Sequence, residues 1–257
     1  MKKNKWPWDK VYVLNLDSEK NRMKIIDNEL KKLNIEYTRI SATNGFEKFQ
    51  YGREIKKAET LFEKWTLIEK MNQVLIKQKI TDKNISNIKY LKPGQYGHLD
   101  SFKRIFEDII INNYNTVLVL EDDCQFTDDF KNKFFNTYNN LPKNWDLVYL
   151  GVNDIHRKVS REPKMLRPHV YNINPVYPSL KGKNNSKFGV IFGTHALLLN
   201  KKTAEQWIKY AYPIKWPSDW VMGKLIFLYK KINAYSTGNN IINAYSDYKM
   251  NSNTNLI

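Results

Sequence analysis

A short apolar run that ends in three acids constrains this chain more than any other segment. Val117–Leu120 is followed directly by Glu121, Asp122 and Asp123. Four apolar residues, two of them β-branched, have the length and composition of a strand buried on both faces. Three adjacent carboxylates repel one another unless water, a cation or hydrogen-bond donors neutralise them. The predicted strand therefore ends either in solvent or beside a positive group.

Apolar segments of strand length alternate with helical patterns through the first 150 residues. The predicted strands are Val11–Leu16, Tyr37–Ser41, Val117–Leu120 and Asp146–Leu150. The predicted helices are Glu19–Leu33 with Ser18 as N-cap, Ile55–Gln78 as one helix or two, Tyr96–Ile111 and Phe130–Tyr138. A turn is expected at residues 43–45. This alternation predicts an α/β fold with a sheet of mostly parallel strands. Ligands of such sheets bind outside the carboxyl ends of the strands, where Glu121–Asp123 and Asn15 fall.

The remainder of the chain has weaker patterns. Residues 153–187 are rich in Pro, Asn and Lys, and they show little periodicity over a length that exceeds ordinary loops. The elements predicted beyond them are strands at Phe188–Phe192, Ala196–Asn200 and Ile232–Tyr235, and helices at Lys202–Tyr210 and Asp219–Lys231.

Composition limits the class of protein and its partners. The 257 residues are 42% hydrophobic, which is enough for one large domain, and 42 Lys and Arg exceed 26 Asp and Glu to give a net charge of +16. That excess suits anionic partners such as nucleic acid, a phospholipid surface or phosphorylated small molecules. The lysines are scattered, however, and no polybasic tail is present, which favours the interpretation as solvated helix faces.

Cysteine content and apolar run lengths bear on location. Cys124 is the only cysteine, so it forms no intrachain disulfide, and we interpret it as a packing residue at the end of the acidic strand. No apolar run approaches the roughly 20 residues that cross a bilayer, and no apolar segment follows Lys2 and Lys3 as a signal peptide requires. We expect a cytoplasmic protein with at most a peripheral contact to a membrane.

The three acids permit metal chemistry. Carboxylate oxygens suit Mg²⁺ or Mn²⁺, which phosphate-handling enzymes hold through one or two carboxylates and substrate oxygens. If the strand continues, Glu121 and Asp123 point to one side and Asp122 to the other. A solvated strand end, or a capping cluster with Thr127 and Asp128, explains the same residues equally well.

Several segments resemble glycosyltransferase family 25, which includes lipopolysaccharide and collagen galactosyltransferases. The matching segments span most of the chain in the family's order. They are VYVLNLDSEKNR with Asn15, Leu16 and Arg22; Ala42 to Gly45; PGQYGHLDSF with Ser101; Leu120 to Asp123; DLVYLG; GTHALLL with Thr194 and His195; PSD with Asp219; and Ser246-Asp247.

The resemblance implies a GT-A-like nucleotide-diphospho-sugar transferase fold and inversion at the anomeric carbon. It implies a UDP-sugar donor, with galactose or glucose as the hexose, and a glycan, lipid-linked glycan or collagen-like polypeptide as acceptor. It further implies a single domain with a nucleotide-binding half at about 11–122, an acceptor and catalytic half at about 123–247, and a tail at 248–257. Residues 153–187 would then form the acceptor side or a mobile lid that excludes water.

The sequence departs from the family pattern in two places. The histidine of the family's helix start is Phe102 here, with Gln95 in place of the acid and His98 in place of a cysteine. The aromatic residue after Gly-Thr-His-Ala is Leu197. These changes bear on donor choice and on activity, and they leave the acidic motif intact.

The resemblance assigns roles to particular residues. Asp219 is the expected catalytic base, although a carboxylate at a helix start also serves as a cap. Asp123, with Glu121 and Asp247, is expected to bind Mn²⁺ or Mg²⁺. The expected donor-binding residues are Asn15, Leu16, Arg22, Ala42, Gly45, Ser101, Glu121, Asp122, Thr194 and His195.

Several of these residues also have a purely structural explanation. Arg22 is also explained as a solvated arginine in the first turns of a helix, Gly45 as a turn glycine and His195 as a structural histidine. Asn15, inside an apolar strand, needs hydrogen-bond partners and favours a functional role.

Two other kinds of protein fit parts of the sequence. A family member that has lost turnover would bind nucleotide or sugar only. A nucleic-acid-binding protein would explain the positive charge, but basic residues do not alternate with aromatic residues along a strand, so no specific nucleic-acid partner is expected.

Overall fold

A large mixed sheet with helices on both faces forms the centre of the molecule. The computed structural model describes residues 5–83, 91–152, 164–173 and 193–244. The strands are β1 (Lys10–Asn15), β2 (Thr38–Ser41), β3 (Val117–Glu121), β4 (Cys124–Phe126), β5 (Leu147–Tyr149), β6 (Met165–Arg167), β7 (Val170–Asn172), β8 (Ala196–Leu199), β9 (Ala234–Ser236) and β10 (Ile242–Ala244). The helices are α1 (Lys20–Lys32), α2 (Gly45–Lys48), α3 (Gly52–Lys57), α4 (Leu61–Lys77), α5 (Pro93–Ile111), α6 (Phe130–Tyr138), α7 (Lys201–Ala211) and α8 (Ser218–Gly223), which continues into a π-helical turn at Lys224–Leu228.

The main sheet has the strand order β2-β1-β3-β8-β5-β9-β7-β6. Neighbours β2, β1 and β3 are parallel, as are β5 and β9, whereas β8 runs antiparallel between β3 and β5, and β7 runs antiparallel to both β9 and β6. A second, two-stranded sheet pairs β4 with β10. The predicted α/β class with a central sheet flanked by helices is confirmed.

The acidic strand β3 lies between β1 and β8 and is buried on both faces, as its sequence predicted. Val117 and Val119 pack into one core cluster together with aromatic residues of α5. Leu118 and Leu120 pack on the other face, with the phenylalanines of α6. Because successive side chains of a strand alternate between its faces, four apolar residues in a row fill both layers.

Several predicted local features differ in the structure. Ser18 is not the N-cap of α1, since Glu19 occupies that position and makes no side-chain capping bond. The turn predicted at residues 43–45 overlaps the short helix α2, which begins at Gly45 and which Asn44 caps by accepting from the Phe46 amide. Helix α5 begins at Pro93, because proline is well suited to the first position of a helix, where no N–H is needed.

Two further differences concern helix length. The stretch predicted as Ile55–Gln78 is two helices, α3 and α4, and the second is capped by Thr60. The helix predicted as Asp219–Lys231 ends at Gly223 and passes into the π-helical turn. The hydrophobic spacing shows where helical turns form but does not reveal the break between them.

Part of the sequence-based prediction falls outside the described residues. This applies to the strand at Phe188–Phe192 and to most of residues 153–187, of which only 164–173 are described, as the β6–β7 hairpin. Among the helices that are described, none has the length and apolar character needed to cross a membrane.

Two glycines let the loop after β2 sit directly on the start of α5. A Cβ on Gly45 would lie 1.8 Å from the carbonyl oxygen of Pro93, and one on Gly97 would lie 2.3 Å from that of Thr43. Both neighbours are backbone atoms, which cannot rotate away. Glycine at 45 is therefore required by packing between two backbone segments.

Substitution Gly45→Ala is expected to lower the free energy of unfolding by about 3 kcal/mol, because the added methyl group must push α2 away from α5. Urea denaturation followed by circular dichroism measures this change. The control is Lys48→Ala in the same helix, where an exposed ion pair with Asp100 is lost and a change below about 1 kcal/mol is expected. Equal effects of the two substitutions would contradict the packing explanation.

Candidate active site

A cleft of about 200 Å³ lies at the carboxyl ends of β1 and β3. The two strands are parallel neighbours, and Leu14 near the end of β1 pairs with Glu121 at the end of β3. The start of α1, the loop after β2 and the first turns of α5 close the sides. This is the edge at which parallel sheets commonly bind ligands.

Most of the residues expected to bind the donor meet in this cleft. Those that line it are Leu16, Arg22, Ala42, Gly45, Ser101, Glu121 and Asp122, and the expected metal ligand Asp123 lines it as well. Asn15, Thr194, His195 and Asp219 are not among the lining residues, and Asp247 lies outside the described part of the chain. β3 ends at Glu121, so the alternation that was predicted for a continuing strand does not apply, and all three acids line the cleft.

Glu121 is held by two side chains from distant parts of the sequence. Thr194 donates its hydroxyl proton to Glu121 Oε1 at 2.7 Å, and His98 Nε2 lies 3.3 Å from the same oxygen. Burial raises the pKa of Glu121, but the hydrogen bond and charge of His98 and the bond from Thr194 outweigh burial and hold the pKa well below its usual range. Glu121 therefore stays ionised inside the site.

Asp122 is oriented by an asparagine and an arginine. Asn15 Nδ2 donates to Asp122 Oδ2 at 2.7 Å, and Arg22 Nη1 lies 3.5 Å from Oδ1. Burial raises the pKa of Asp122 to about 6; the bond from Asn15 and the charge of Arg22 oppose this, and the charges of Asp123 and Glu121 add to it. The hydrogen-bond partner required for a buried Asn15 is thus a member of the acidic motif.

Ser101 positions the loop that follows β2. Its hydroxyl donates to the Gly97 carbonyl at 2.7 Å and accepts from the Thr43 amide at 2.8 Å. The loop thereby presents Ala42 and Gly45 to the cleft. Ser101 contributes to the site through the backbone it holds.

His195 is buried next to the acidic motif and does not line the cleft. It is 4% exposed, its Nε2 lies 3.3 Å from the Ile242 carbonyl, and its own carbonyl accepts from the Glu121 amide at 2.8 Å. The same carbonyl accepts from the Cys124 thiol, which is buried as the sequence indicated. These contacts tie the end of β3 to β8 and β10.

Asp219 lies in the first turn of α8. The Trp220 amide donates to its Oδ1 at 2.9 Å, and the rings of Trp216 and Trp220 stack in parallel with centroids 6.0 Å apart. Burial raises the pKa of Asp219 to about 6, against the opposing charge of His98 and the bond from Trp220. A carboxylate with such a pKa is ionised at neutral pH yet accepts a proton more readily than an exposed aspartate.

The oxygen ligands that the cleft offers fit a divalent cation only in part. Glu121, Asp122 and Asp123 offer carboxylate oxygens, the ligands that Mg²⁺ and Mn²⁺ prefer. Within the residues described, however, no group of three or more His, Cys, Asp or Glu side chains has the arrangement of a complete metal site. The residues fit an ion that shares its coordination shell with substrate and water oxygens.

His98 and Ser218 are contacts of the site that sequence reasoning did not assign. His98 lines the cleft, and its Nδ1 lies 2.7 Å from the Ser218 hydroxyl at the start of α8. His98 is three residues before Ser101 on α5, and this spacing, which puts two side chains on one helix face, was the available signal. Nothing in the sequence indicated the partner Ser218, which is 120 residues away.

The comparison with protein families agrees with this geometry. Residues 8–222 match the family described as glycosyltransferase family 25 (LPS biosynthesis protein). The chain belongs to glycosyltransferase family 25. The resemblance seen in the sequence motifs is thereby confirmed, and the matched range includes the cleft, the acidic motif and Asp219.

One relative of this family 25 chain is procollagen galactosyltransferase 2 from Homo sapiens. The two proteins are 29% identical over 86 residues, which is 32% of this chain. The match covers only 13% of the human protein. The relationship therefore concerns a segment of a much larger enzyme.

Replacement of Asp219 by Asn is expected to stabilise the fold at high pH. The raised pKa means that the folded state favours the protonated carboxyl, so the stability it contributes is present at low pH and is lost as pH rises through about 6. Asp219→Asn removes this loss and should raise the free energy of unfolding by about 1–2 kcal/mol at pH 8, after allowance for partial exposure.

Urea denaturation at pH 8, 6 and 4 measures this prediction, and the gain should shrink below pH 6 and be nearly absent at pH 4. Asp128→Asn, at an exposed aspartate in the turn before α6, is the control and should change stability by less than about 0.5 kcal/mol throughout. A pH-independent effect of Asp219→Asn would show that burial does not raise its pKa.

Proposed function

We propose that this protein is an inverting glycosyltransferase that moves a hexose, galactose or glucose, from a UDP-sugar to a glycan acceptor. The observation that carries the proposal is the cleft at the ends of β1 and β3, where Glu121, Asp122 and Asp123 meet Arg22 in a member of family 25. A cleft that contains both carboxylates and an arginine suits a diphosphate that binds together with a divalent metal ion.

The proposed donor site uses both sides of the cleft. Arg22, near the start of α1, would contact the diphosphate, and its present contact with Asp122 shows that the guanidinium reaches into the cleft. The loop at Ala42–Gly45 would lie along the nucleoside, because Ala42 and Gly45 line the cleft with little or no side chain and leave their backbone accessible. Asn15, Ser101, Thr194 and His195 would act through the groups they hold in place.

Mn²⁺ or Mg²⁺ would be held by Asp123 and Glu121, with Asp247 as a further ligand. Such an ion would neutralise negative charge on the departing diphosphate. The three acids fit this use because they are oxygen ligands at one edge of the cleft, and substrate oxygens would complete the shell.

Asp219 is the proposed base. Its carboxylate would take the proton of the acceptor hydroxyl while that oxygen forms a bond to the anomeric carbon. The bond from the anomeric carbon to the diphosphate breaks at the same time, and UDP leaves with the electron pair. The raised pKa supports this role, because a base with a pKa near the working pH accepts a proton effectively.

The acceptor class is proposed from relatives. The description of the family refers to LPS biosynthesis, and the name of the human relative refers to galactose transfer to procollagen. A saccharide chain, free or lipid-linked, is the acceptor we favour, and a collagen-like polypeptide is the alternative that the assay must include.

A thermal-shift panel of UDP-, GDP- and CMP-sugars, each with and without Mn²⁺, tests the donor site. A ligand at about a hundred times its Kd adds about 2.7 kcal/mol to the folded state, which is several degrees in Tm for a chain of this size. We expect one UDP-hexose to raise the Tm only with metal, and the same sugar to be transferred or slowly hydrolysed with release of UDP.

Two aspartate variants test the assignment of Asp123 to the metal-dependent donor site. Asp123→Asn should remove the metal-dependent shift and lower UDP release at least a hundredfold, while Asp128→Asn should keep both. No shift with any nucleotide sugar would contradict the donor site. A shift without turnover on any saccharide or peptide acceptor would identify a nucleotide-sugar-binding protein instead of a transferase.

A further inference from the structure

We propose that His98 is a positioning residue that connects the acidic motif to the base-bearing helix α8, and so sets the donor end of the site relative to Asp219. The inference rests on the proposed function. It concerns a residue at which the sequence departs from the family pattern, and to which the resemblance assigned no role.

The imidazole makes contacts from both of its nitrogens. Nδ1 lies 2.7 Å from the Ser218 hydroxyl oxygen, in the residue directly before Asp219. Nε2 lies 3.3 Å from Glu121 Oε1 and 3.4 Å from the Thr194 hydroxyl oxygen. One ring thus touches the end of β3, the segment before β8 and the first residue of α8.

The chemistry of Glu121 fixes the direction of the hydrogen bond at Nε2. An ionised carboxylate only accepts, so Nε2 must carry the proton that it shares with Glu121. Nδ1 shares a hydrogen bond with the Ser218 hydroxyl, which donates to a neutral ring and accepts from an imidazolium. Thr194 already donates to Glu121 Oε1. Both ring nitrogens therefore have a hydrogen-bond partner, Glu121 for Nε2 and Ser218 for Nδ1.

Packing holds the ring in this position. Its face stacks on Phe102 with ring centroids 4.4 Å apart and an angle of 28° between the planes. Phe102 is fully buried and packs edge-on against Phe106. The His98 side chain is only 14% exposed. Phe102 therefore acts as a rigid support for the imidazole, which follows from the spacing of four residues on α5.

The hydrogen bonds of His98 to Glu121 and Ser218 form a bridge between two parts of the site, and the position of this bridge bears on the reaction. Glu121 lines the cleft, whereas Ser218 and Asp219 do not, and His98 is the lining residue in hydrogen-bond contact with Ser218. Loss of the imidazole would leave Glu121 with one donor fewer and free the start of α8 to shift. Misplacement of a catalytic group by about 1 Å lowers turnover by up to about a hundredfold.

A kinetic comparison separates positioning from direct contact with the donor. His98→Asn is expected to lower kcat about 10–100-fold with the KM for the UDP-sugar changed less than about twofold. Glu107→Gln is the control on the same helix, because the Glu107 side chain is 45% exposed and is not among the residues that line the cleft, and it should leave both constants unchanged. A KM raised tenfold or more with kcat unchanged would make His98 a direct donor ligand and overturn the proposal.

A double-mutant cycle tests the path through Ser218. If His98 acts through Ser218, Ser218→Ala alone should lower kcat in the same direction. The double variant, with both substitutions, should then be no slower than His98→Asn alone. Additive losses would show that the two residues act independently and would contradict the proposal.

A readout that needs no turnover separates failure of this proposal from failure of the proposed function. In ¹⁵N spectra of the histidine side chains, Ser218→Ala should move the Nδ1 signal of His98 toward that of an unbonded nitrogen and leave Nε2 nearly unchanged. If the wild-type protein transfers no sugar, the transferase assignment fails while this measurement still decides whether the bridge exists. An unchanged Nδ1 signal would overturn the bridge even in an active enzyme.

Discussion

Mutual repulsion among the three carboxylates at the end of β3 is the constraint on which the site depends. Glu121 and Asp122 are stabilised by different groups: the first by Thr194 and His98, the second by Asn15 and Arg22. These partners come from the end of β1, the helix that follows it, α5 and the segment before β8. The acidic strand end is thus compatible with folding because four separate elements supply donors to it.

The sheet makes that convergence possible. β1 and β3 are parallel, so their carboxyl ends meet at one edge, and β8 runs antiparallel beside β3, so the residues that precede it start from the same edge. Thr194 reaches Glu121 for this reason. The second half of the chain joins the sheet through β8 and β5, and it brings α8 with Asp219 to the same end. The hydrogen bonds of His98 connect the same segments through side chains.

Much of the framework could be predicted from periodicity alone. β3, β1, α1 and α6 were found within one or two residues, because hydrophobic spacing is a local property. The three-residue strands β4 and β10 were missed, since so short a segment acquires its conformation from pairing with a partner far along the chain. The predicted cap at Ser18 was wrong because the chain turns into α1 one residue later than the composition indicated.

The sequence by itself determined that an acidic cluster ends a buried strand, that Asn15 needs a partner, and that the motif order is that of family 25. These are properties of adjacent residues or of patterns along the chain. The tertiary structure decided which side chains neutralise the acids, why Gly45 is glycine, and that His98 lies between Glu121 and Ser218. Such contacts join residues 23 to 120 positions apart, and the pairing of the strands together with the packing of α5 against the sheet brings them within contact distance.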